Sequence, residues 1–388
     1  MGREQHGPTA ENLNEFFAKG RLSGLFRTFY MNREFRVPLN KIQETNASGG
    51  WLNYRSASWN GFTLGLTGYI AEKLFIGNSD RDGASLLAPG QTGYAILGQA
   101  FLQQQAGTTM FRLYRQELAT PFINPHDVRL IPKTMEAYTW EGSISRTLSF
   151  ISSHVTRIKG WNASEFRSMS AYAGFPGTDE SVTLIGLKYR PGENCTFQAW
   201  NYVCWNFMNI VYFQGDFCWK MKRQHDLTMS VQAIDQGDIG RAIGGRFHTG
   251  TQGIKALYQG PRGLVWLAYT MTSDGADVKN PWGSYPGFTS IMEEDSDLAG
   301  EQAWAIGFMY DLRNARVRGW SISVSHSRCY KPGSSDFEYP GQLETDFDAT
   351  YHFGRKTDLR LRRALVYNAH NMGNINYTDI RAILNFSF

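Results

Sequence analysis

The last twelve residues of the chain, YTDIRAILNFSF at positions 377–388, alternate between apolar and polar side chains. The residues between the apolar ones are mostly polar, with Ile383 as the exception. A repeat of two residues indicates a β-strand with one apolar and one polar face. The chain therefore ends with a strand whose last residue is aromatic and whose apolar face must be shielded from water. That face carries Ile380, Ala382, Leu384, Phe386 and Phe388.

The same alternation recurs along the chain. GWSISVSHS at 319–327, LETDFDATYHF at 343–353 and AWAIGFMYD at 303–311 each gather aromatic and aliphatic residues on one face. We count about eighteen such segments of roughly 8 to 14 residues. Short connections such as GRKT alternate with long ones, which predicts an up-and-down meander. The segments begin near residues 20, 49, 61, 93, 108, 135, 148, 180, 195, 207, 226, 251, 263, 302, 317, 342, 357 and 375.

The composition favours an all-β protein and excludes several other classes. Of the 388 residues, 14% are aromatic, 19% are charged and 40 are glycines, a balance typical of strands. A net charge of +4 gives no reason to expect nucleic-acid binding. No run of apolar residues is long enough for a transmembrane helix, and MGREQHGPTAENLNEFF lacks the apolar core of a signal peptide. The chain is expected to be either cytosolic or the mature form of an exported protein.

Two architectures suit alternating strands, a soluble sandwich or propeller and a transmembrane barrel. The segments are longer than ordinary soluble strands and carry aromatic residues near their ends. Charged residues such as Asp346 and Arg360 also stand in mid-strand, where they require water. These features predict a transmembrane antiparallel up-and-down β-barrel of about 18 strands around an aqueous lumen. We expect residues 1–19 to form a periplasmic N-terminal segment and residues 20–388 a single barrel.

One block of sequence carries a family resemblance. TTMFRLYRQELATPFINPHDVRLIPKTMEAYTWEG at 108–142 has a strand ending in Arg-Gln, a loop with Asn-Pro-His-Asp-x-Arg, and then Pro-x-Thr-x-Glu-Ala-Tyr. It resembles the OprD-like family of outer-membrane channels, as do the stretches at 20–35, 157–166 and 196–203. The resemblance implies an eighteen-stranded barrel in the outer membrane of a Gram-negative bacterium. It also implies an inward-folded third outer loop, an arginine ladder, and uptake of carboxylate-bearing molecules, including basic amino acids and aromatic acids.

The constriction is expected in loop 118–134, which three prolines stiffen. The resemblance places Asp127 and Arg129 on opposing sides of the solute path, and we add Arg115 at the start of the loop. The alternative is that Asp127 and Arg129 only attach the loop to the barrel wall through an ion pair.

The basic ladder follows from alternation and from the resemblance. The guanidinium group binds carboxylates with two parallel hydrogen bonds and is always charged. Arg363 breaks the alternation, and we expect it at a bulge or near the periplasmic rim. The alternative is that the lumenal arginines only neutralise lumenal acids. The ladder comprises Arg27, Arg112, Arg360, Arg362 and Arg381.

Three acids on the preceding strand, Glu344, Asp346 and Asp348, should also face the lumen. A three-residue turn would place Asp348 opposite Arg362 and Thr350 opposite Arg360. The lumen would then have a positive and a negative wall. Such a field suits amino acids as well as carboxylates.

Other candidate sites are fewer. The acidic stretch SIMEEDSDLAGE at 290–301 suggests either divalent cations bridged to lipopolysaccharide at the outer surface or a solvated loop. Cys195, Cys204, Cys218 and Cys329 show no metal-ligand spacing, and we expect neither a metal nor a cofactor. The sequence does not decide whether Cys195 and Cys218 form a disulfide.

The sequence thus predicts a porin for passive, substrate-preferring diffusion of small carboxylate-bearing solutes or amino acids. Its partners would be these solutes, outer-membrane lipid and lipopolysaccharide, and it would be a monomer or a loose trimer. One alternative is a barrel that sheathes a partner protein. Another is an outer-membrane enzyme using Ser325, His326 and Ser327, although alternation puts His326 and the two serines on opposite faces.

Overall fold

The computed structural model describes residues 8–74, 81, 83–222, 224–312, 319–334 and 339–388. Two short helices, α1 (Leu13–Ala18) and α2 (Met169–Tyr172), and a 3₁₀ turn at His370–Met372 accompany the strands. None of the helices in these ranges is long and apolar enough to cross a membrane. The strands are β1 (Arg21–Phe35), β2 (Ile42–Arg55), β3 (Phe62–Lys73), β4 (Tyr94–Ala106), β5 (Thr109–Gln116), β6 (Thr134–Ser143), β7 (Leu148–Lys159), β8 (Arg167–Ser168), β9 (Val182–Tyr189), β10 (Cys195–Cys204), β11 (Met208–Met221), β12 (His225–Asp238), β13 (His248–Gln259), β14 (Gly263–Thr272), β15 (Gln302–Asp311), β16 (Trp320–Tyr330), β17 (Gln342–His352), β18 (Thr357–Ala369) and β19 (Ile375–Ser387).

The strands close into one antiparallel barrel. Each long strand pairs with its neighbours in chain order, and β1 pairs with both β2 and β19, so the sheet has no free edge. The two-residue β8 only lies beside the end of β7, and β7 pairs along its length with β9. The barrel among the described residues therefore has eighteen strands, which confirms the predicted architecture.

The strand boundaries follow the alternation closely, with one clear difference. β2 begins at Ile42, not near residue 49, because its first residues are held by pairing with the end of β1, for example Asn32 with Glu44. The run IQETNAS is largely polar, so alternation alone does not reveal it. The start predicted near residue 317 lies outside the described residues, within which β16 begins at Trp320.

The closing strand shows which face turns outward. Ile380 and Leu384 of β19 are 43% and 41% exposed, whereas Asp379 and Arg381, on either side of Ile380, are buried inside the barrel. The apolar face is therefore the lipid-facing surface, and the polar face lines the lumen. The N-terminal α1 lies beside the short connection 56–61, where Ala57 N–H donates to the carbonyl of Phe16.

Arg363 does not lie where the sequence suggested. It sits in regular register between Phe347 and Ile380, both of which are exposed on the outer surface. The register shift in this strand pair falls later, between Val366 and Ala369. Arg363 is thus at neither a bulge nor the rim, and it occupies the centre of the lipid-facing side of β18.

Inside the barrel, large aromatic rings lie flat over glycines of the adjoining strand. A Cβ atom on Gly186 of β9 would come within 2.2 Å of the Trp200 ring on β10, its register partner. Only glycine leaves room for the ring at this height.

The cysteines carry no disulfide. Cys195, Cys204, Cys218 and Cys329 are all free. Cys195 pairs in register with Phe217, so Cys218 is offset by one position and lies on the other face of the sheet.

Candidate solute pathway

The connection between β5 and β6, residues 117–133, folds into the barrel; we call it loop 3. Phe122 and Ile123 are fully buried among residues of β10 and β11, and Phe122 N–H donates to the Tyr202 hydroxyl at 3.4 Å. Further along, Leu130 and Ile131 pack against Phe29 of β1 and Ile383 of β19. The loop thus spans the lumen between two walls.

The second half of loop 3 is held by an arginine of the wall. Arg27 on β1 donates to both carboxylate oxygens of Asp127 at 2.8 and 3.1 Å, and also to the carbonyl of Arg129. Its Nε donates to Asn385 on β19 at 2.9 Å. Arg27 is therefore lumenal, but its guanidinium is engaged in holding the loop.

Asp127 and Arg129 do not pair with each other. Asp127 is exposed to the lumen beside Arg27. Arg129 donates through Nε to the carbonyl of Ala84 at 3.1 Å, and its guanidinium lies 5.1 Å from the centre of the Trp161 ring. Burial lowers the pKa of Arg129 to about 10, and the nearby charges of Arg33 and Arg362 add to the effect. Arg129 thus lies close to the basic wall of the barrel.

The predicted ladder residues Arg112, Arg360 and Arg362 lie on the lumenal wall with hydrogen-bond acceptors beside them. Arg360 and Arg362 on β18 both donate through Nε to one oxygen of Asp348, at 2.6 and 2.8 Å. Asp348 stands opposite Arg362 and Thr350 opposite Arg360, as predicted. Arg112 on β5 donates to the side chain of Gln103 at 2.8 Å and lies over the Phe101 ring.

Arg381 belongs to a buried group of four charges. Arg381 and Arg33 both contact the carboxylate of Glu293, and they donate to the two oxygens of Asp379 at 2.7 and 2.9 Å. All four side chains are at most about one-tenth exposed. Opposite charges are therefore matched within the wall, as the neutralising alternative proposed.

Arg115 is not part of the constriction. It shares its face of β5 with Phe111 and Leu113, both exposed on the outer surface. Its Nε donates to Glu136 of β6 at 3.0 Å, and its guanidinium lies 4.3 Å from the centre of the Phe166 ring. The sequence placed it at the loop because it directly precedes Gln116, the last residue of β5, but strand alternation turns it outward.

A second connection, residues 273–301 between β14 and β15, also folds into the lumen; we call it loop 7. Trp282 is fully buried and donates to the carbonyl of Met169 at 3.0 Å. Ser284 N–H donates to the side chain of Asn124 in loop 3 at 3.0 Å. The two inward loops therefore touch each other within the barrel.

The acidic stretch of loop 7 faces inward, which corrects its expected place on the outer surface. Glu344 on β17 is fully buried, and its carboxylate accepts from three successive backbone N–H groups, those of residues 292, 293 and 294. Glu293 reaches Arg33 and Arg381, and Glu294 accepts from the Tyr377 hydroxyl at 2.5 Å. The sequence signal for this fold was the match between acids in the loop and arginines on the wall.

The other lumenal acid, Asp346 on β17, is also buried. Ser325 donates to it at 3.5 Å from β16. His326, by contrast, forms a hydrogen bond with Thr345 at 2.8 Å. Thr345 directly precedes the lumenal Asp346 and therefore lies on the outward face of β17. The serines and His326 are thus on opposite faces of the sheet.

Comparison with known proteins places this barrel in a family. The family model described as "outer membrane porin, OprD family" matches residues 14–388. The chain belongs to the OprD family of outer-membrane porins. Members of this family lie in the outer membrane of Gram-negative bacteria, and porins pass small solutes. No curated protein matches this porin significantly.

Solved structures share the porin's fold at low sequence identity. OccK9 (OpdG) of Pseudomonas aeruginosa has a TM-score of 0.85 at 20% identity, over 96% of this chain and 99% of that one. OpdK of the same species, solved with vanillate, has a TM-score of 0.84 at 16% identity over the same shares of the two chains. A BenF-like porin from Pseudomonas fluorescens Pf-5 has a TM-score of 0.84 at 15% identity, again over 96% and 99%.

Loop 7 of this porin should respond to pH through its buried acids. Burial, with the charges of Asp295 and Glu301 nearby, raises the pKa of Asp297 to about 8, and burial raises that of Asp295 to about 6. In a released, solvated loop both pKa values would return to about 3.9. A raised pKa means that the inward position is most favoured below about pH 4 and loses stability as the pH rises from there, up to about pH 6 through Asp295 and up to about pH 8 through Asp297. We therefore expect loop 7 to loosen as the pH rises from about 4 to about 8.

Current recordings in a planar bilayer would test this prediction. Fluctuations of the open-channel current should increase between about pH 4 and about pH 8 and then level off. The Asp297→Asn variant should lose most of the increase between about pH 6 and about pH 8, since the amide cannot ionise. A wild-type trace that stays equally quiet over the whole range would contradict the prediction.

Proposed function

We propose that this porin carries out passive, substrate-preferring diffusion of small carboxylate-bearing solutes or amino acids, and that Asp127 and Arg129 select them. The observation that carries the proposal is the position of Arg129. It lies on an inward loop beside the basic wall, and its guanidinium is held over Trp161 and by Ala84. A solute that passes loop 3 meets Asp127 and the arginines together. Fixed charges at a narrow place are what give a pore selectivity.

The ion pairs that Arg360 and Arg362 form on the wall suit transport as well as stability. Arg360 and Arg362 share one carboxylate, so each retains donors for an incoming anion. Weak, repeated binding lets a solute move from one site to the next without being trapped. OpdK was solved with vanillate, which is a carboxylate, and this agrees with the proposed solute class.

The surroundings of the barrel are part of the same proposal. We infer that the mature chain lies in the outer membrane as a monomer or a loose trimer, with lipid and lipopolysaccharide around its outer surface. Of the N-terminal segment 1–19, residues 1–7 lie outside the described residues, and residues 8–19 would lie in the periplasm, because α1 is at the end of the barrel that carries the short connections.

Arg129→Ala tests the selective role of loop 3. We expect the variant to lose carboxylate flux by about tenfold, the value of one charge-assisted hydrogen bond, and to lose much less chloride conductance. Arg129→Lys should be intermediate, because it keeps the charge and loses the planar fork. Flux into liposomes and single-channel conductance would be measured on the same preparations.

The control for this experiment is Arg241→Ala. Arg241 pairs with Glu180 at 2.8 Å and its side chain is 70% exposed in an outer connection. This variant should leave both quantities unchanged. If Arg129→Ala lowers carboxylate flux and chloride conductance equally, loop 3 is a steric barrier without solute preference.

A further inference from the structure

A cavity of about 500 Å³ lies beneath the two inward loops. Loop 3 covers it with Thr120 and Asn124, and loop 7 with Ser284 and Pro286. Its walls belong to β7, β9, β10 and β11, on the side of the loops toward the short connections. A solute that has passed the loops enters this space before it leaves the barrel.

Lys188 on β9 is the charged side chain of the cavity wall. Among the residues that the structure describes, no other lining residue is charged, and Lys188 has no hydrogen bond or ion pair from its ammonium to any of them. The ladder differs, since Arg362 is held by Asp348 and Arg381 by Glu293 and Asp379. Lys188 thus offers the cavity an ammonium group that has no ion-pair partner among the described residues.

The amides beside Lys188 are oriented as donors. Lys188, Gln198 and Gln214 stand in register on three adjoining strands. The carbonyl oxygen of Gln198 accepts from Trp200 at 3.1 Å, and that of Gln214 accepts from Tyr212 at 2.5 Å. Gln214 then donates to Asp216 at 2.8 Å, whereas the amide nitrogen of Gln198 has no partner among the described residues.

Asp216 is the nearest acid and is already engaged. It lies two residues along β11 from Gln214, one lumenal position toward the short connections, and it does not line the cavity. Ser230 donates to the same oxygen of Asp216 that Gln214 contacts, at 2.7 Å. The cavity itself therefore offers a free ammonium and a free amide N–H₂, with no carboxylate in its described lining.

We propose that this cavity is a second solute-binding subsite, in which Lys188 and Gln198 bind the carboxylate of a monoanionic solute. The apolar body of the solute would lie against Trp200 and Ile151. The subsite discriminates against amino acids, because no carboxylate in its described lining can pair with an α-ammonium group and the nearby Asp216 is held by Gln214 and Ser230. This inference rests on the proposed function and narrows its solute class from carboxylates or amino acids to monocarboxylates.

Single-channel recordings with added benzoate or arginine would test the subsite. Wild-type porin should show transient blockades by benzoate and weaker ones by arginine. Lys188→Gln should raise the benzoate concentration needed for half-blockade by about tenfold. Gln198→Glu should weaken blockade by benzoate and strengthen blockade by arginine, since it adds the missing acid.

Lys255→Gln is the matched control, because it removes the same charge from the same side of the lumen outside the cavity. The Lys255 ammonium lies 4.6 Å from the centre of the Trp266 ring. The control should retain benzoate blockade within about twofold of the wild type. Equal effects of Lys188→Gln and Lys255→Gln would overturn the subsite, since the lysines would then act only through the general field. Correct folding of each variant would be checked by the heat-modifiable shift in gel mobility.

The outcomes separate this inference from the proposed function. A wild-type channel that is blocked by benzoate, together with a Lys188→Gln channel blocked equally well, would remove the subsite and leave the proposed function standing. Folded wild-type protein that neither conducts ions nor passes carboxylates would contradict both.

Discussion

Glu293→Ala is expected to open the channel. Its carboxylate is the contact that joins loop 7 to both Arg33 and Arg381 on the wall. Without it, two buried guanidinium groups share Asp379 alone. Removing one partner from a buried ionic group costs about 3–5 kcal/mol, which would raise the population of released loop 7 by about a hundredfold or more. Single-channel conductance should rise, and the current should become noisier.

The remaining contacts of loop 7 decide how far it moves. Glu344 still accepts from the backbone N–H groups of residues 292–294, and Trp282 stays buried near α2. We therefore expect the acidic half of the loop to leave the wall only part of the time, because Glu344 still holds its backbone, while the half around Trp282 stays in place. The conductance should rise as a partial opening, and Glu344→Gln combined with Glu293→Ala should raise it further.

A control must separate this effect from the loss of any acid. Glu165→Ala removes an exposed carboxylate, 61% accessible, that pairs only with Arg167 among described side chains, and it should leave the conductance unchanged. Conductance of Glu293→Ala equal to that of the wild type would show that loop 7 is held by its packing and not by this ion pair.

The architecture could be predicted from the sequence because strand alternation is a local signal. In each segment the alternation of apolar and polar residues indicates which face meets lipid. In β19, for example, Ile380 and Leu384 lie outside and Arg381 lies inside. The pairing of Asp348 with Arg362 also follows locally, because a short turn fixes the register. Long strands with short connections therefore leave little freedom in the barrel.

The loops could not be predicted in the same way, because their positions depend on contacts distant in sequence. Asp127 and Arg27 are 100 residues apart, and Arg33 and Glu293 are 260 apart. The sequence of the acidic run at 290–301 is compatible with a solvated loop, because it does not show that buried arginines of the wall need acidic partners. The prediction for Arg115 was wrong for another reason. At the end of a strand, a shift of one residue moves a side chain from the lumen to the outer surface.

Arg363 and Arg362 on β18 provide the sharpest test of that distinction. Arg363 lies on the outer surface between Phe347 and Ile380, with no ion pair or hydrogen bond to a described residue. An arginine facing lipid near the middle of the bilayer costs about 2–4 kcal/mol. Arg363→Leu should therefore raise the free energy of unfolding by about 2 kcal/mol.

Replacing the preceding residue, Arg362, with leucine should have the opposite effect on the free energy of unfolding. Arg362 faces the lumen and donates to Asp348 at 2.8 Å, so Arg362→Leu should lower the free energy of unfolding by about 2 kcal/mol. Reversible denaturant unfolding in phospholipid vesicles would measure both. If Arg363→Leu lowers stability as well, the guanidinium must be bound within the membrane by a group outside this barrel, such as a lipid phosphate or a second copy of the chain. Repeating the measurement in uncharged detergent at increasing protein concentration would then distinguish a lipid phosphate from a second copy of the chain.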